Sequence, residues 1–346
     1  MDYIFHMENE NEVFLESCFL DFQPDVSEQK ATTLRLARNN INILNNEHFP
    51  RRCKVLDASV NRIRNDGIPL EWLASLEEIY LDENFIHDTE GVVWPPGLRL
   101  LSLSGNPLCD FPPDLPDSVE TILCKNTRLN KITKLPSSLK HIALNGSSIY
   151  RIPYELPSTL RTFCANGNLL TTRSLPVSWG MSLRTLCLDD NKIAQFPQGL
   201  PNTVQHISLN RNRIKEIPDD LPADLLTMSL YQNRIQIIHY GQRKKPIEVV
   251  ILNDNELICC VNKDQEKMEF RWANSIQELD NWNVGGYHLC ANRIARAWKR
   301  YCLRKGMRQW GRMNKVRWEL YAASMHPNRA GRFQNIDPQW NYDHCF

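Results

Sequence analysis

Apolar and polar positions follow one another in a unit that recurs through most of this chain. The unit is L-x-x-L-x-L-x-x-N-x-L. One copy is Leu183-Arg-Thr-Leu186-Cys-Leu188-Asp-Asp-Asn191-Lys-Ile193, and the next is Val204-Gln-His-Ile207-Ser-Leu209-Asn-Arg-Asn212-Arg-Ile214. The fourth position is Leu34, Leu56, Ile79, Leu101, Ile122, Ile142, Phe163, Leu186, Ile207, Met228 and Val250, at steps of 20 to 23 residues. Two residues further on stand Leu36, Ala58, Leu81, Leu103, Cys124, Leu144, Ala165, Leu188, Leu209, Leu230 and Leu252. Alternate side chains of a strand point to opposite faces, so both columns turn inward and the residue between them turns out. Each unit predicts one short strand, and the fixed period predicts that the strands stack in parallel.

The ninth position is Asn at 39, 61, 84, 106, 168, 191, 212, 233 and 255, with Thr127 and Ser147 as the two exceptions. A buried Asn needs partners, and one recurring phase gives it the same ones each time: backbone groups where a coil leaves its strand. Thr127 and Ser147 lack the amide, so their repeats should be the weakest rungs. Together these columns predict an α/β repeat solenoid, a leucine-rich-repeat horseshoe of about eleven repeats with a parallel β-sheet on its concave face. The return halves read Phe111-Pro-Pro-Asp-Leu-Pro116, Ile152-Pro-Tyr-Glu-Leu-Pro157, Phe196-Pro-Gln-Gly-Leu-Pro201 and Ile217-Pro-Asp-Asp-Leu-Pro222. Proline removes donors and disfavours helix in the residue before it, which predicts an extended convex side. Pro69-Leu-Glu-Trp-Leu-Ala-Ser-Leu76 is different and predicts a helical turn.

A stacked sheet must be closed at both ends. Residues 1–30 are expected to form an N-terminal cap around Val13–Leu20, and 31–260 the solenoid. Residues 261–290 are expected to form a helical C-terminal cap, with Met268, Trp272, Ile276 and Leu279 on one helix face. Residues 291–346 are a basic helical tail whose apolar stripe includes Ile294, Trp298 and Tyr301.

Composition narrows the function. The net charge is +1 over 346 residues, and no apolar run is long enough to cross a membrane. The first residues lack the form of a signal peptide. Eleven cysteines, an odd number and several at repeat positions, suggest reduced thiols in an intracellular, cytoplasmic protein. Charge is segregated: residues 1–30 hold eight acids, while 291–318 hold ten Lys and Arg and no acid. No phosphate loop, nucleophile elbow or zinc-protease motif is present, so no catalytic residue, metal or cofactor is assigned. Cys259, Cys260, His288 and Cys290 lack zinc-ligand spacing.

The predicted activity is therefore binding of a protein partner on the exposed strand face. Its candidate residues are Tyr80, His141, Thr162, Thr185, His206 and Thr227, with a basic edge of Arg128, Lys192, Arg213 and Arg234. Ser102, Cys164, Cys187, Ser208 and Ser229 are expected to share that exposed face, and Asn210 to face solvent. Cys164 and Cys187 fall in adjacent coils. The tail has three readings: it docks on the solenoid or another subunit, it binds a calmodulin-like protein, or it binds nucleic acid or an anionic membrane through 291–318.

Three resemblances bear on these readings. The L-P-x-x-L step resembles the short leucine-rich repeats of bacterial effector proteins. Some of these carry a ubiquitin-ligase domain, for which the residues after the last repeat are too few; a ligase adaptor is the remote alternative. The tail resembles an IQ motif at Ile294, Lys299 and Arg304, with Ala295 in place of the usual Gln and Arg300 in place of the Gly. The run Arg293-Ile-Ala-Arg-Ala-Trp-Lys-Arg-Tyr301, followed by Tyr321-Ala-Ala-Ser-Met-His-Pro327, is similar to the tails of leucine-rich-repeat proteins of large double-stranded DNA viruses. That resemblance implies a protein made inside an infected host cell or carried in the virion.

Overall fold

The computed structural model describes residues 11–240, 247, 249–252, 255 and 259–262. The helical cap and the tail expected beyond Asn262 lie outside the described residues. Twelve short strands form one parallel sheet. They are β1 (Glu12–Phe14), β2 (Thr33–Arg35), β3 (Val55–Asp57), β4 (Glu78–Tyr80), β5 (Leu100–Ser102), β6 (Thr121–Leu123), β7 (His141–Ala143), β8 (Thr162–Cys164), β9 (Thr185–Cys187), β10 (His206–Ser208), β12 (Thr227–Ser229) and β14 (Val249–Ile251). The register is the repeat register: Ile207 lies beside Leu186 on one side and Met228 on the other. A second parallel sheet joins β11 (Glu216–Ile217), β13 (Ile237–Tyr240) and β15 (Cys259–Asn262) in the return halves of the last coils.

The sheet begins one coil before the repeats expected from the sequence. β1 pairs with β2 in register, Val13 beside Leu34, and Val13, Leu15 and Leu20 are buried. The Asn position of this coil is Cys18, exposed, which hides the repeat from a search on Asn.

Each coil from β2 to β12 encloses apolar side chains at four recurring positions. In the β9 coil they are Leu183, Leu186, Leu188 and Ile193, all at 0% exposure. The Asn column ties each coil to the one before it. Asn212 Nδ2 donates to Leu188 O at 2.8 Å, to Asn210 O at 3.1 Å and to Leu209 O at 3.2 Å, and its Oδ1 accepts from Ile193 N at 3.0 Å. Thr127 and Ser147 bond chiefly to each other, Oγ to Oγ at 2.8 Å, with Thr127 Oγ1 reaching Cys124 O only at 3.4 Å.

The residue before the ladder position is left-handed in eleven coils. Ser17, Arg38, Val60, Glu83, Gly105, Asn126, Gly146, Gly167, Asp190, Arg211 and Gln232 all have φ between 51° and 71°. Gly146 has a second reason to lack a side chain, since a Cβ there would stand 2.2 Å from Asn126 Oδ1.

The return halves are extended, as the prolines predict. Each Leu-Pro step opens a turn in which the proline carbonyl accepts from the N–H three residues on: Pro157 O from Leu160 N at 3.0 Å, Pro201 O from Val204 N at 3.2 Å. The helical turn expected over Pro69–Leu76 is absent. Glu71 bridges Val93 in parallel, and the buried Trp72 stacks between Phe49 and Trp94, at 6.5 and 6.2 Å between ring centres. One ring per coil in a stack needs the same extended backbone in each coil, and this overrides the local apolar spacing. Among the described residues, helix is confined to the 3-10 turns Asn46–His48, Asn65–Gly67 and Thr172–Ser174.

Candidate binding face of the middle coils

The strand residues facing away from the core fall into columns that differ in accessibility. In the first strand position, Thr121, His141, Thr162, Thr185, His206 and Thr227 are half-buried, one per coil from β6 to β12. Cross-strand bonds hold the imidazoles: His141 Nδ1 lies 3.2 Å from Thr162 Oγ1, and His206 Nδ1 lies 2.9 Å from Thr227 Oγ1. Burial, and after it the charges of Arg161 and Lys140, hold the His141 imidazole below its ordinary 6.5, against the pull of Glu120.

The third strand position corrects the sequence reading. Ser102, Cys164, Cys187, Ser208 and Ser229 do face the concave side, yet all are buried, with exposures of 0 to 8%. Their side chains are small, and a further column roofs them over. Asp189 Oδ1 accepts from Ser208 Oγ at 2.7 Å and from Asn210 N at 2.6 Å. Asn210 Oδ1 accepts from Ser229 Oγ at 2.6 Å and Tyr231 N at 2.8 Å, so Asn210 is engaged rather than free in solvent. Asn145, Asn166 and Asp82 make equivalent bonds to the following coil. This second ladder escaped the sequence reading because the column mixes Asp, Asn, Ser and Lys. Cys164 and Cys187 lie side by side in register beneath it, with Ala143 and Leu123.

Burial raises two acids of this ladder. Asp189 is pushed up to about 6 by loss of solvent, opposed by its bonds to Ser208 and Asn210, and Asp82 moves up for the same reason. Tyr80 sits nearer the front of the sheet, half-buried, its hydroxyl donating to Glu78 at 2.9 Å. It is remote from the Thr and His row. Around it lie Arg35 paired with Glu12, and Asp57 and Glu78, so the front of the face is acidic.

The basic edge is exposed as expected but is not one group. Lys192, Arg213 and Arg234 occupy consecutive coils, while Ser148 and Leu169 separate Arg128 from them. A second basic row, missed in the sequence, stands at the opposite end of the strands in Lys140, Arg161 and Arg184. On the other flank of the molecule, exposed Tyr150 and Tyr154 line a small cleft with Arg173, and Arg151 lies 5.7 Å from the Tyr154 ring. The tail residues Ile294, Trp298, Lys299 and Arg304 lie outside the described residues.

No protein-family model matches the chain. It is 30% identical over 175 residues to podocan-like protein 1 of Mus musculus and 26% identical over 226 residues to podocan of the same species. These matches cover 47% and 53% of this chain but only 28% and 36% of the relatives' lengths. Among solved structures it resembles YopM, a leucine-rich effector protein from Yersinia pestis, with a TM-score of 0.53, 20% identity, and coverage of 72% of this chain and 74% of that one. The fold is a leucine-rich-repeat solenoid. Such folds commonly mediate protein–protein interaction. Among the described residues no helix is long and apolar enough to cross a membrane.

Proposed function

We propose that the protein is a non-catalytic interaction scaffold whose partner lies across the concave face of the β6 to β12 coils. The observation that carries this reading is the half-exposed Thr and His row, level over six strands and framed at both ends of the strands by basic side chains. A floor in which His141 and His206 are already bonded to Thr162 and Thr227 costs little to desolvate at those pairs, and it leaves specificity to the rims. The basic run 291–318 is a second binding segment. Its apolar stripe of Ile294, Trp298 and Tyr301 supports docking on the solenoid or on another subunit, and its ten unopposed charges support a calmodulin-like protein, nucleic acid or an anionic membrane as partner in trans. The odd cysteine count, with several cysteines at repeat positions, supports an intracellular setting.

The test is affinity capture from the cells that make the protein. It compares the full chain with Thr185→Trp and with a form truncated after residue 290. The concave reading expects Thr185→Trp to lose a partner that the truncated form retains. Loss only on truncation would assign the activity to the tail, and capture unaffected by Thr185→Trp would sink the concave reading.

A further inference from the structure

The residue just before each strand forms a row of its own. Lys54, Glu77, Arg99, Glu120, Lys140, Arg161, Arg184 and Gln205 are linked coil to coil by backbone bonds, each N–H to the preceding residue's carbonyl, at 2.7 to 2.9 Å. Neighbouring side chains in such a row stand about 4.8 Å apart at the backbone, close enough for every charge to feel the next. Over the first five positions the signs alternate. Lys54 Nζ lies 2.7 Å from Glu77, Arg99 lies 3.3 Å from Glu120, and Lys140 lies 2.8 Å from Glu120. The lysine bonds hold Glu77 and Glu120 below the usual carboxylate range.

At Arg161 the alternation stops. Arg161 and Arg184 follow Lys140 directly, so three cations stand in consecutive coils, and both arginines are exposed. No ion pair reaches either of them among the described residues. Like charges in neighbouring positions oppose each other, a cost the first five positions avoid by alternating. The break falls where the row borders His141, Thr162 and Thr185, at the centre of the uncharged floor.

We infer that Arg161 and Arg184 form an anion-recognition site for the carboxylates of an acidic peptide segment on the partner. This inference rests on the concave reading and adds the chemistry of the partner. One carboxylate placed between the two guanidinium groups supplies the sign that the alternation lacks, and the guanidinium fork suits it. A nucleic acid fits less well. Its phosphates would run on past Lys140 into Glu120 and the acidic front of the face, and the row and the floor beside it hold no Phe, Tyr or Trp on which a base could stack, while the His141 and His206 rings are tied to Thr162 and Thr227.

The decisive variant is Arg161→Glu. It continues the alternation between Lys140 and Arg184, so the folded protein should melt at the same temperature as wild type or higher while losing the site. With the full chain, anisotropy of a labelled oligoglutamate peptide should show binding that weakens with salt. R161E, and R161Q/R184Q in parallel, should lower affinity about tenfold or more, with K131Q/K134Q, exposed in the return half of the β6 coil, much nearer wild type. The proposal is overturned if wild type does not bind the peptide or if R161E binds it equally. It is also overturned if only K131Q/K134Q loses binding, or if single-stranded DNA of equal length displaces the peptide at lower concentration. Cellular capture separates the two readings. A partner lost with Thr185→Trp but kept with R161E leaves the concave face standing without this site. Peptide binding lost in R161E while capture survives Thr185→Trp leaves the site without the concave reading.

Discussion

Asp189 is a carboxylate where the two coils before it and the one after it use an amide. Asn145 and Asn166 hold the same place and accept the same backbone N–H of the following coil, at 2.9 and 2.8 Å. The side chain of Asp189 is 3% exposed, and its pKa stands at about 6 against an ordinary 3.8. The sign follows from proton counts: between those values the unfolded chain ionises first, so folding stability falls as pH rises from about 4 to about 6. Each pKa unit is about 1.36 kcal/mol, which puts the loss at roughly 3 kcal/mol by neutral pH. Asp189→Asn should therefore be at least as stable as wild type at pH 7, by up to about 3 kcal/mol, and nearly equal to it at pH 4. Urea titrations at the two pH values would measure this, and a variant less stable at pH 7 would mean that the ionised form is held by partners stronger than Ser208 and Asn210. Nothing in the residue pattern signals this burial, because an Asp between strand and turn is usually solvated.

At the scale of the element, the Asn ladder was legible and the second ladder was not. Nine asparagines at one phase name their own role, whereas the column two residues earlier conceals its role by mixing residue types. The expectation that Asn210 faces solvent fails on that account. Asn212→Ala and Asn210→Ala should now both destabilise, the first by about 1–3 kcal/mol because it strands buried groups of two coils. Asn210→Ala should cost about 1 kcal/mol, since its partners Ser229 Oγ and Tyr231 N are closer to water. A neutral Asn210→Ala in denaturant titration would show that the second ladder contributes no stability. The buried strand serines were misread for a related reason. Periodicity assigns a face to each residue, but only the curvature of the stack and the size of neighbouring side chains decide whether that face sees solvent.

For the whole molecule, stability is close to a chain of nearest-neighbour terms, so the weakest interface decides where it divides. That interface lies at the β6 and β7 coils. There the ladder residues are Thr127 and Ser147, whose longest bond is 3.4 Å, and Cys124 fills an inward place that Leu103 and Leu144 fill on either side. A smaller core side chain and a missing amide both weaken the coupling across this point. Native-state hydrogen exchange should then resolve two cooperative blocks, β2 to β5 and β8 to β12, with different opening free energies. Restoring the amide with Ser147→Asn should raise the lower of the two and bring them together, because the new side chain has a coil to reach back to. Each block keeps an apolar core of its own, four side chains per coil, so neither should lose its protection when the other opens. A single opening free energy across all the strands, unchanged by Ser147→Asn, would mean that the continuous sheet couples the coils more strongly than the ladder does.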